Sequence, residues 1–73
     1  MPVVVEYFPP RGRVVRANMR EVMVFANSRH EAMAFVFDHL GLVGSCRELT
    51  SDEAEAWSGE CVHANPRSLL DGP

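Results

Sequence analysis

The side chains able to do chemistry are few: Cys46, Cys61, His30, His39 and His63, four arginines between positions 11 and 20, and ten carboxylates. Zinc takes four nitrogen or sulfur ligands in a tetrahedron, and Cys46, Cys61 and His63 with His39 or His30 would make up the number. Their spacing opposes it. There is no Cys-x-x-Cys and no His-x₃₋₅-His pair, and Cys61-Val62-His63 on a strand would spread two ligands along one face without the tight turn of a structural zinc site. A cysteine beside a histidine is also the minimum for thiolate catalysis. Nothing else of such a site accompanies it: no Gly-x-Ser-x-Gly, Gly-x₄-Gly-Lys, His-Glu-x-x-His or glycine-rich oxyanion loop is present. His30 reads as a solvated residue in the first turn of a helix, and His39 as a side chain suited to the negative end of that helix. The expectation is a chain with no catalytic residues, no metal and no cofactor, and not an enzyme. The cysteines are expected to be free thiols acting as small apolar side chains, with a Cys46–Cys61 bridge across neighbouring strands as the alternative.

Charge is more informative. All seven basic residues are arginine, and the formal net charge of −3 is unevenly spread. Residues 1–30 carry five arginines against Glu6 and Glu21, whereas residues 31–73 carry Arg47 and Arg67 against eight acids. A fold that keeps the halves apart would be electrically two-ended. Arg11, Arg13, Arg16 and Arg20 form a basic ribbon that could meet phosphates, with Tyr7 or Phe8 stacking on bases. An overall pI near 5.5 and the common use of arginine to protect a sheet edge weigh against it.

These residues must be positioned by a small fold. The 73 residues amount to one small domain that buries only about 60% of the surface its unfolded chain exposes, which leaves little core volume for a deep dry pocket. No apolar run reaches a membrane span, and Met1-Pro2 followed by a strand-like stretch lacks the signal-peptide pattern, so the chain reads as cytoplasmic. Val3-Val4-Val5-Glu6-Tyr7-Phe8 predicts a strand that ends at Pro9-Pro10. Residues 13–26 fit both a helical and an alternating pattern, with 13–20 undecided between strand, turn and helix; their Val and Phe content and the Pro-Pro-Arg-Gly turn favour a second strand in a hairpin.

Ser28 and Glu31 predict a capping box at the start of a helix that Gly41 stops, with Leu42 placed for the contact that follows. Met33, Val36, Phe37 and Leu40 form its expected core stripe, which leaves Phe35 opposite, among Glu31, Asp38 and His39, to be covered either by the C-terminal tail at Leu69-Leu70 or across an interface. Ser45–Leu49 predicts a third strand. Thr50 and Glu53 predict a second capping box before a short acidic helix, with Trp57 packing inward beside Ala54. Residues 61–64 suit a last strand, and 65–73 a tail in which Leu69-Leu70 docks or frays. The predicted class is α+β in the order β-β-α-β-α-(β), a small antiparallel sheet covered on one face by one amphipathic helix.

With no catalytic set visible, the expected function is stoichiometric protein association. One form is an inhibitor of the kind phages and mobile elements encode, anti-CRISPR-like or anti-restriction-like, in which Asp52, Glu53, Glu55 and Glu60 stand in for phosphates against a partner's basic groove. The expected protein interface comprises Phe35, Glu31, Asp38 and these four acids. The alternatives are a nucleic-acid-binding module that uses Arg11, Arg13, Arg16 and Arg20, and a structural homodimer joined through Phe35.

Overall fold

The computed structural model describes residues 1–64, and the Leu69-Leu70 pair lies outside them. The fold is α+β: β1 (Pro2–Phe8), β2 (Arg20–Phe25), α1 (Arg29–His39), β3 (Leu42–Glu48), α2 (Ser51–Ala56) and β4 (Cys61–His63) follow one another. The sheet order is β3-β1-β2-β4. β1 lies antiparallel to β2 and β3, whereas β4 joins β2 in parallel. The sheet is therefore mixed where an antiparallel one was expected.

β1 is interior because its sequence is apolar on both faces. Val3, Val4 and Val5 are all buried, as a strand with neighbours on each side and cover above and below requires. Val3, Val5 and Tyr7 point to the face that α1 covers, with Val22 and Val24 of β2. Val4 and Met23, of opposite parity, meet Leu49 on the other face, where Ala54 and Trp57 pack against them. Both faces thus carry a core cluster, and the single-face cover expected from sequence is corrected by the packing of α2. The β2–α1–β3 and β3–α2–β4 connections cross the sheet in opposite directions on opposite faces, so they have the same hand.

The α1 stripe differs from expectation. Ala32 and Val36 are buried, and Phe35 and Leu40 pack against the same cluster, while Phe37 is 63% exposed. At 100° per residue these contacts centre on Ala32 and Val36, so the buried face is turned from the predicted one by most of a quadrant. Ala32 decides it: its methyl group lets the helix approach the valine face closely, a signal that weighting large apolar side chains overlooks.

The hairpin also differs. Residues 13–19 are not strand; the chain forms a 3-10 turn at Arg16–Asn18, and β2 begins only at Arg20. The loop is closed by its own bonds, Gly12 N–H to the Pro9 carbonyl at 3.1 Å, Val15 N–H to Arg13 at 2.8 Å and Asn18 N–H to Val15 at 2.9 Å. Val14 and Val15 have no sheet neighbour to bury them and stand exposed. β3 starts at Leu42, three residues earlier than predicted, opposite Phe8, so Leu42 is an exposed strand residue.

Candidate functional site

Strand direction sorts the charged segments. The β1–β2 loop follows Phe8 at one end of the sheet, while Leu49 N–H donates to the Pro2 carbonyl at 2.9 Å and leads directly into α2 at the other. A strand the length of β1 separates them by roughly 20 Å. The strands of the basic half form the middle of the sheet and those of the acidic half its two edges, yet the β1–β2 loop and the start of α2 lie at opposite ends of it.

At the acidic end, α2 opens with a complete capping box. Glu53 N–H donates to Thr50 Oγ1 at 3.2 Å, and Thr50 N–H donates to Glu53 Oε1 at 3.0 Å. The Thr50 N–H, and after it the Thr50 hydroxyl, hold the Glu53 carboxyl below its ordinary value, with a lesser contribution from Arg47, 3.8 Å away in an exposed ion pair. Asp52 and Glu55 stand exposed on the same helix, three residues apart and so on neighbouring positions of its surface. Beside them is an open groove of about 480 Å³ lined by Arg47, Leu49, Glu53, Ala56, Trp57, Ser58 and Gly59. Trp57 Nε1–H donates to the Glu60 carbonyl at 2.9 Å, which fixes the indole. Gly59 packs so closely on that ring that a Cβ would lie 3.1 Å from it.

Glu60 does not join the other three acids. Its carboxylate accepts the Tyr7 hydroxyl at 3.0 Å, and Tyr7 belongs to the α1 face, opposite the Trp57 cluster. Burial, reinforced by Glu60, pushes the Tyr7 phenol up, with Arg20 acting in the opposite direction. Tyr7 is therefore not free to stack on a base, as the sequence had allowed.

Phe35 is half-buried. It packs on the main cluster and lies tilted on His39 with ring centroids 4.6 Å apart, so it shares the covered side of α1 and does not stand opposite it. Glu31 is half-buried and serves the helix start: its N–H donates to Ser28 Oγ at 3.1 Å and its carboxylate accepts Asn27 N–H at 3.2 Å. The predicted capping box is thus displaced by one residue. Asp38 is exposed in the last turn of α1.

Arg11, Arg13, Arg16 and Arg20 are all exposed at the loop end. Arg11 and Arg20 line a concavity of about 360 Å³ together with Pro9, Gly12, Ala17, Asn18 and Met19. Asn18 Nδ2–H donates to the Arg13 carbonyl at 3.0 Å and braces the loop from inside. The candidate thiol and imidazole ligands stay apart. Cys46 and Cys61 are free and sit on β3 and β4, the two outer strands, with β1 and β2 between them. At about 4.8 Å per strand, that separation is beyond the ~7 Å Cα limit of a disulfide. His63 stacks on Phe25 at 4.8 Å. Among the described residues no group of three or more His, Cys, Asp or Glu is placed to hold a metal ion, and no helix is long and apolar enough to cross a membrane.

The groove over Trp57 was missed at the sequence level, although Gly59 placed two residues after an indole was its signal. No protein-family model matches this chain, and comparison with curated proteins and with solved structures finds no match either.

Proposed function

We propose that this chain is a non-enzymatic cytoplasmic binding protein that associates stoichiometrically with a protein partner through its α2 end. The observation that carries the reading is the Trp57–Leu49 groove with Asp52, Glu53 and Glu55 beside it. An aromatic anchor ringed by charge has the composition of an interface hot spot. A partner's Arg or Lys could lay its stem over the indole and its charge among the carboxylates. In its finer form the proposal is a phage or mobile-element inhibitor whose α2 acids occupy the basic groove of a nucleic-acid-binding complex. Asp52 and Glu55 are central to this form, because Glu53 is engaged by Thr50 and Glu60 by Tyr7.

The test is affinity capture from the native host with wild-type protein and with Asp52→Arg/Glu55→Arg, read by quantitative mass spectrometry. Charge reversal is expected to reduce recovery of a basic partner about tenfold or more. The same partner should also alter Trp57 emission, the only tryptophan signal in the chain. Equal recovery by both forms would sink the reading.

A further inference from the structure

We infer that the β1–β2 loop docks onto the phosphates of a nucleic-acid duplex, gripped without regard to base sequence by Arg11, Arg13, Arg16 and Arg20. Residues 9–20 contain four arginines and no acid, and no described carboxylate lies within 4.0 Å of any of the four. Guanidinium groups bind phosphate oxygens in pairs and keep their charge at every working pH. The loop presents them on a braced frame, since the backbone bonds at Gly12, Val15 and Asn18 and the Asn18 side chain hold its course. The concavity between Arg11 and Arg20 is large enough to receive a phosphodiester unit from the side.

The chain's net negative charge does not oppose this contact. The α2 acids lie roughly two Debye lengths away at 0.1 M salt and are largely screened. Nearer acids are Glu6 and Glu21, paired across β1 and β2 with Ser45 Oγ donating to Glu6, Asp38 at the end of α1, and Glu60, bonded to Tyr7. Glu6 and Glu21 point to the sheet face opposite Arg20 by strand alternation. The contact is with backbone and not with splayed bases, because the aromatics leading into the loop are withdrawn: Tyr7 is buried and Phe8 half-buried. Single-strand binding relies on such stacking platforms, so a duplex is the fitting target.

The experiment is fluorescence anisotropy of the full chain with a labelled duplex of mixed sequence, of about 20 base pairs, in about 50 and 200 mM salt. Four phosphate contacts predict a fall in affinity of ~150-fold over that range, and Arg11→Ala/Arg20→Ala should reduce the fall to ~12-fold and weaken binding at the lower salt. Circular dichroism of the variant confirms folding. Asp52→Asn/Glu55→Gln should leave the salt slope unchanged, which separates this surface from the α2 end. The inference is overturned by no binding at the lower salt, by an unaltered slope in the arginine variant, by tighter binding to the corresponding single strand, or by tighter binding to polyglutamate, which would assign the loop to an acidic protein.

Discussion

The Tyr7 hydroxyl donates to Glu60 Oε1 at 3.0 Å across 53 positions of sequence, tying the central strand to the segment that enters β4. The phenol is held above its ordinary value of 10.0, chiefly by burial and then by Glu60. A raised folded-state value means that the protonated form is favoured by folding. Its stabilising contribution is complete below pH 10 and is lost as pH rises through the folded value.

Because Tyr7 is the single tyrosine, absorbance at the tyrosinate band titrates it alone. The midpoint should lie above that of the urea-unfolded chain. Tyr7→Phe should cost about 1 kcal/mol at neutral pH and reduce the alkaline loss of stability. A native midpoint at or below the unfolded one would contradict the assigned burial.

Phe35 and Phe37 are two residues apart and should behave oppositely. Phe35→Ala removes packing against the main cluster and is expected to cost about 2 kcal/mol, less than the 3–5 of a fully buried ring. Phe37→Ala touches an exposed ring and should stay within about 0.5 kcal/mol. Urea melts of the two variants check this, and the reverse ranking would restore the stripe read from sequence.

Gly41→Ala should be among the most damaging substitutions outside the core. A Cβ there would overlap the Phe8 carbonyl oxygen and crowd Pro9, because the end of α1 passes directly over the end of β1. The clash is with backbone, which cannot swing aside, so a loss of about 1–3 kcal/mol is expected. Thermal unfolding of the variant is the measurement.

Thr50→Ala breaks the α2 capping box and should cost about 1 kcal/mol. Glu53 has a lowered folded-state value, so its contribution is present above its ordinary value of 4.5 and fades as pH falls through the folded one. Thr50→Ala keeps the main-chain N–H that lowers Glu53 most and removes only the contribution of the hydroxyl, so Trp57 emission during acid unfolding should show a slightly shallower dependence below pH 4.5 than in the wild type.

What the sequence by itself determined was local. The Val3–Val5 run, the Pro9-Pro10 stop, Ser28 and Thr50 as caps and the inward Trp57 follow from steric and hydrogen-bonding preferences that act within a few residues. The tertiary structure decided what depends on distant neighbours. The buried face of α1 is chosen by how closely Ala32 can approach the valines of β1 and β2, and not by which large side chains share a stripe. Residues 13–19 leave the hairpin for want of a strand beside them. Charge polarity along the molecule comes from strand direction, whereas the parting of Glu60 from the α2 acids and the wide separation of Cys46 from Cys61 come from one fact of connectivity. β3 and β4 were placed on opposite edges of the hairpin, and no periodicity within a single strand can encode which edge it will join.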